Sequence, residues 1–179
     1  MRVAVVHPVE SYWLYWGPLF SSAAIRGEQE NRFQSITRWL LLGGIDFDFI
    51  SESLFPEQCR EAGAPLAVGE MSYDAVIVPA CKTLRGSTLK RLSAFSEKGG
   101  RLIFAGACPD MVDAAPSDAV RALYEKSTTV PFEHNAVLDA LEPYRLVEFR
   151  NQDGTRTDNL IHQLREDGET LWLFVAHGV

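Results

Sequence analysis

Residues 73–107 read YDAVIVPACKTLRGSTLKRLSAFSEKGGRLIFAGA. Two continuous β-branched and apolar runs, YDAVIVPA and RLIFAGA, flank a stretch of a different period. Between them Leu89, Leu92 and Phe95 recur at three-residue spacing, and Gly99-Gly100 follows as a stop. Such spacing predicts an amphipathic helix over STLKRLSAFSEKGG, with Ser87 as its cap. Apolar runs without alternation predict strands buried on both faces, which is the habit of parallel sheets covered by helices on each side. The unit is therefore strand–helix–strand, and its crossover is expected to be right-handed.

Working toward the N-terminus repeats the pattern. RVAVVH (residues 2–7) is a third apolar run, ending at Pro8. GEQENRFQSITRWLLLGG predicts a helix that shows Phe33, Ile36 and Leu40 on one face and stops at Gly43-Gly44. IDFDFI alternates strictly and predicts another strand, with Asp46 and Asp48 on one face. Residues 51–72 show little pattern and read as a connection.

Toward the C-terminus the character changes. SDAVRALYEKS, capped by Ser117, and FEHNAVLDALEPY, limited by Pro143, predict helices. The remainder contains three strand-like runs divided by NQDGT and REDGE. Asp-Gly between such runs signals hairpins. The expectation is an α/β fold: a flavodoxin-like three-layer sandwich, mainly parallel, with a C-terminal antiparallel β-hairpin extension of the sheet. One domain over 1–179 is expected. The final run stops directly after a strand, which reads as a fragment of a longer polypeptide.

Composition narrows the function classes. The 179 residues carry 24 acidic and 17 basic side chains, a net charge of -7, with no basic stripe, so no nucleic-acid partner is expected. No apolar run approaches the 18 or so residues of a membrane span, and no signal peptide is legible, so a cytoplasmic location and no membrane partner are expected. Three scattered cysteines fit a reducing compartment better than a disulfide framework. No histidine pairs with a cysteine or another histidine at metal spacing, and no glycine-rich phosphate loop follows the first strand, so neither metal nor cofactor is expected.

Ligands of parallel sheets sit at the carboxyl ends of the strands. Those ends carry His7, Ser51, Cys81-Lys82 and Cys108. Cys108 is the sharper nucleophile candidate, because IFAGAC places it after strand, glycine and a small residue. Its neighbours count against catalysis: Pro109 removes an amide and Asp110 sets a carboxylate beside the thiol. Lys82 beside Cys81 would favour thiolate, whereas Cys59 shows nothing. His134 and His162 read as structural or solvated. His177 ends the last run without the following glutamate that an amidotransferase pair needs.

The order of elements, together with YDAVIVPACKTL and LKRLSAFSEKGGRLIFAG, resembles the class I glutamine amidotransferase-like domains found inside glycoside hydrolases, of which the β-galactosidase trimerisation domain is representative. LWLFVAHG resembles the run from that domain into a following β-sandwich, and HPVESYWLYWGP the loop after strand one in large bacterial glycosidases of this type. The resemblance covers roughly residues 1–110 and 145–177. It implies a non-catalytic accessory domain that keeps the amidotransferase sheet without its catalytic set. Such a domain serves subunit association or packing against a catalytic domain in carbohydrate metabolism. The partners it implies are a neighbouring glycosidase domain or identical subunits. The rivals are a Cys-dependent hydrolase or amidotransferase-like enzyme using Cys108, and a small-molecule binding module.

HPVESYWLYWGPLF (residues 7–20) concentrates aromatic side chains in what reads as a loop. Tyr12, Trp13, Tyr15 and Trp16, with His7 beside them, are the candidate contact residues. Three readings stand: a surface for a partner or neighbouring domain, a stacking border for carbohydrate, or packing onto this domain's own helices.

Overall fold

A computed structural model of the chain describes residues 1–178. Its centre is a five-stranded, wholly parallel sheet. The strands are β1 (Val3–Val6), β2 (Phe47–Ile50), β5 (Ala75–Pro79), β7 (Arg101–Ala105) and β10 (Thr128–Val130). They are ordered β10-β7-β5-β1-β2 across the sheet. Counting only these strands along the chain, the order is 2-1-3-4-5, the flavodoxin-like arrangement.

Alternation within each central strand splits the core into two faces. Ala4, Val6, Val76, Val78, Leu102 and Phe104 point to one face. There they meet α3 (Phe55–Gln58), α4 (Gly86–Glu97) and α5 (Arg121–Lys126) through Phe55, Leu92, Phe95 and Leu123. Val3, Val5, Ala75, Ile77, Ile103 and Ala105 point to the other. That face is covered by α2 (Leu19–Leu42) and α6 (His134–Leu141) through Ile36, Leu40, Val137, Leu138 and Leu141. Each such aliphatic or aromatic side chain contributes about 1.5–3 kcal/mol when fully buried. Helices on both faces of a parallel sheet make the expected three layers.

Gly43 and Gly44 end α2, and they do more than stop it. A Cβ at Gly43 would lie 2.5 Å from both the Trp39 carbonyl oxygen and Leu138 Cδ2. Gly44 adopts φ 71° and lets the Val147 carbonyl approach to 2.8 Å of where its Cβ would stand. The turn is thus also where α6 and the C-terminal segment close on the domain.

Several expectations need correction. Residues 7–20 are not a loop: α1 (Val9–Leu14) forms there, and α2 starts at Leu19 rather than near Gly27. Residues 51–72 are structured, with α3 followed by a hairpin of β3 (Leu66–Val68) and β4 (Met71–Tyr73). Ser87 is not a cap. α4 is entered from Arg85, and Asp113 Oδ1 accepts the Gly86 amide at 3.0 Å. Asp113 lies in the β8–β9 turn of a small sheet of β6 (Thr83–Leu84), β8 (Met111–Val112) and β9 (Ala115–Pro116). Helix α5 is shorter than predicted and follows Val120, while Ser117 Oγ accepts the Ala119 amide just upstream. The fifth strand of the main sheet, β10, was not foreseen.

The C-terminal hairpin is present as β11 (Leu160–Asp167) and β12 (Thr170–His177), paired in full register around Gly168. It forms its own two-stranded ladder and does not extend the main sheet. The third strand-like run, residues 145–150, contributes a single bridge between Arg150 and Arg156. The hairpin touches the body at its stem. His162, its side chain 3% exposed, stands 3.6 Å from Asp46 and stacks edge-on to Phe149. Along β12 both faces are open: Leu171, Trp172, Leu173, Phe174 and Val175 are 47–65% exposed.

Candidate functional site

In this strand order the direction of winding reverses between β1 and β5, and a ligand crevice is expected outside their carboxyl ends. Helix α1 occupies that place. Ser11 is fully buried there. Its Oγ accepts the amides of Lys82 at 2.8 Å and Thr83 at 3.1 Å, and donates to the Thr83 carbonyl at 3.4 Å. Two residues of α1 carry the closure: Ser11 bonds the β5–β6 turn, and the carboxylate of Glu10 pairs with Arg85 at 2.6 Å. The strand-end backbone groups that would otherwise face a ligand are satisfied by the protein itself.

Beneath this plug lies Glu52, 1% exposed, at the carboxyl end of β2. Its Oε2 accepts the Arg85 amide at 2.8 Å, but Oε1 is buried without a partner, as is the neighbouring Thr88 hydroxyl. Burial pushes the Glu52 carboxyl up, with the Glu10 charge adding to the rise and the Arg85 amide opposing it. Neither Ser11 nor Glu52 was singled out by sequence. Only the position of Glu52, just past a strand end, could have pointed to it.

Cys81 and Cys108 lie on this same edge, just past the ends of β5 and β7. Burial raises the Cys81 thiol most, and the Glu52 and Cys108 charges raise it further. Lys82 does not serve it, being ion-paired with Asp110. Cys108 is half-buried, and its Sγ donates to the Pro109 carbonyl. Burial raises that thiol also, Arg121 opposes, and Glu125, Asp110 and Asp118 add to the rise. Charges of that sign disfavour thiolate. Cys59 is buried, with its thiol likewise raised by burial.

His7 sits at the end of β1, its ring 4.9 Å from Phe33 and 5.9 Å from Phe49. Burial lowers its basicity. It lines a small hollow of about 150 Å³ with Pro8, Tyr12, Glu30 and Phe33. His134 packs against Trp39, and His177 is exposed at the end of β12. The imidazoles thus stand among aromatic rings and on the hairpin, away from the charged groups that face Cys108.

The aromatic stretch divides by helical geometry. Tyr12 and Tyr15 are half-buried, and the Tyr12 hydroxyl accepts Arg26 Nη2 at 2.9 Å. The Arg26 guanidinium lies 4.2 Å from the centre of the Trp16 ring, a cation–π contact. Trp13 and Trp16 are 55% and 68% exposed, and the first turn of α2 adds Leu19 at 70% and Phe20 at 95%. The candidates therefore part company: Tyr12 is turned to the domain's own Arg26 and Tyr15 is half-buried, while Trp13 and Trp16 border one hollow and, near them in sequence, Leu19 and Phe20 are open to solvent. The sequence pattern predicts the start of α2 only near Gly27, which leaves Leu19 and Phe20 outside the candidate set.

Among the described residues no cluster of three or more His, Cys, Asp or Glu could hold a metal ion, and no helix is long and apolar enough to cross a membrane. No family model and no curated protein matches the chain.

Proposed function

We propose that this chain is a non-catalytic, amidotransferase-like accessory domain of a glycoside hydrolase, acting in the cytoplasm through subunit association or packing against a catalytic domain. The observation that carries the docking role is the exposure of Trp13, Trp16, Leu19 and Phe20 within residues 13–20 and of Leu171 through Val175 on the hairpin. Apolar patches of this kind mark surfaces that another body covers. The plugged crevice supports the same reading, since the place where this fold would hold a small ligand is filled by Ser11 and α1. The glycosidase assignment rests on the resemblance in element order and in YDAVIVPACKTL, LKRLSAFSEKGGRLIFAG, LWLFVAHG and HPVESYWLYWGP. The partner is a neighbouring glycosidase domain or an identical subunit, and the exposed Trp pair also suits stacking on a sugar ring.

Sedimentation velocity over a range of concentrations, with a parallel titration of galactosides followed by tryptophan fluorescence, tests this reading. Reversible association, or a saturating galactoside response, that is lost in Trp16→Ser and Phe20→Ser supports it. A monomer at every concentration with no sugar response, combined with fast alkylation of Cys108 near neutral pH, overturns it in favour of the thiol enzyme.

A further inference from the structure

A second concavity lies at the opposite end of the sheet from the plugged crevice, and it has a different chemistry. It has a volume of about 280 Å³ and is enclosed by the end of α2, helix α6 and residues 145–158. That is just below the range of drug-sized sites and suits a small metabolite. Arg145 stands in its wall with a side chain 6% exposed. Its Nε donates to Glu142 Oε2 at 3.1 Å, but Nη2 is buried with no acceptor. Nη1 of the same guanidinium stands beside Gly44 in that wall and has no acceptor among the described residues, so an anion in the cavity would meet an unoccupied cationic donor.

The surroundings restrict that anion. Glu142 is shared, its other oxygen taking Arg156 Nη2 at 2.8 Å. Glu148 is held by Arg150 and Arg156, which keep its carboxyl below the usual range. Glu142 Oε2 is already on Arg145 Nε and Glu148 is held by other arginines, so neither carboxylate serves Nη2. Asp139 and Asp158, also in the wall, add negative charge; Asp139 acts on Arg156 across the cavity, and neither carboxylate makes a side-chain ion pair among the described residues. A phosphate dianion would be repelled by these two. A carboxylate fits the fork of the guanidinium, and hydroxyl or ammonium donors on the same molecule fit the two aspartates. Phe149 supplies an apolar wall.

We infer that this cavity binds a small carboxylic acid that also carries hydrogen-bond donors, a hydroxy acid or an amino acid, with Arg145 on the carboxylate and Asp139 and Asp158 on the donors. The site does not depend on the docking role proposed above.

Titration of the 179-residue chain with D-glucuronate, L-threonine, glucose and acetate, read by amide NMR shifts at Gly43, Asn135 and Phe149, tests it. Glucuronate, for a hydroxy acid, or threonine, for an amino acid, is expected to bind at least tenfold more tightly than glucose or acetate. Arg145→Gln is expected to weaken that ligand at least tenfold, as loss of a charged hydrogen bond requires. Because Arg145 is buried, the exposed pair Asp139→Asn with Asp158→Asn gives a second reading: acetate should gain and approach the preferred acid within a few-fold. Equal binding of glucose and glucuronate, equal binding of acetate and the donor-bearing acids by the wild type, or no shifts at millimolar ligand with any probe overturns the inference.

Discussion

The hydroxyl of Ser11 holds Thr83 by both of its backbone polar groups, accepting from the amide at 3.1 Å and donating to the carbonyl at 3.4 Å. Substitution by Ala leaves the buried amides of Lys82 and Thr83 without that acceptor. Ser11→Ala is expected to cost about 1–3 kcal/mol, measured by urea denaturation. A loss under about 0.5 kcal/mol would mean that α1 rests on the sheet edge without being bonded to it.

Glu52 gives the domain a pH dependence of unusual sign for a carboxyl group. Its folded-state pKa lies above its unfolded value. Its contribution to stability is therefore complete below the ordinary glutamate range and is lost as pH rises through the folded value. Glu52→Gln keeps an acceptor for the Arg85 amide and adds a donor toward Thr88. Its stability advantage over the wild type is expected to widen between about pH 4 and about pH 8. A constant difference across that interval would show that burial does not penalise the carboxylate.

The turn between β8 and β9 runs through two non-glycine residues at positive φ, Asp113 at 50° and Ala114 at 63°. Asp113 repays its strain by accepting the Gly86 amide. Ala114 has only its own amide bonded, to Thr83 Oγ1, so its side chain offsets nothing. Ala114→Gly is expected to add about 1 kcal/mol, seen as a rise of roughly 2–4 °C in the thermal midpoint. No rise would place the turn outside the cooperative core.

Thiol reactivity should follow burial. With iodoacetamide near neutral pH, Cys108 is expected to react no faster than an unperturbed thiol, and Cys81 more slowly still, because both thiols are raised. Both rates should increase as pH climbs. Rapid labelling of Cys108 below about pH 7 would contradict the electrostatics of its surroundings.

On the hairpin, Trp172→Thr with Phe174→Lys replaces two exposed apolar side chains on one face of β12. Binding of a hydrophobic dye is expected to fall while core stability changes by less than about 0.5 kcal/mol. A large destabilisation would mean that this face already packs against the domain.

Where burial was two-sided the sequence spoke clearly. VAVV, AVIVP and RLIFA can be little else than central strands, and Gly43-Gly44 and Gly99-Gly100 marked helix ends. Edges were harder to read. The three residues of β10, TTV, are too few to show a period, and they follow a helix whose start was placed early. Aromatic density in residues 7–20 masked α1, because Trp and Tyr carry no helical preference of their own and the spacing is too short to reveal one. Cys108 drew attention through its local motif, whereas Ser11, Glu52 and Arg145 matter through partners 72, 33 and 3 residues away. The first two of these separations belong to the sheet's topology, and no local pattern encodes them. For Arg145 the partner is near, and what was invisible is the burial that leaves Nη2 alone.

Helix α2 runs for 24 residues without a break, about 36 Å at 1.5 Å per residue. Phe20 stands at one end of it, and Leu41 and Leu42 meet Ile161 of the hairpin stem at the other. It acts as a ruler that sets the separation of the aromatic stretch from the stem. An extended peptide needs about eleven residues to reach from one mark to the other, so any single body that covers both must span at least that length.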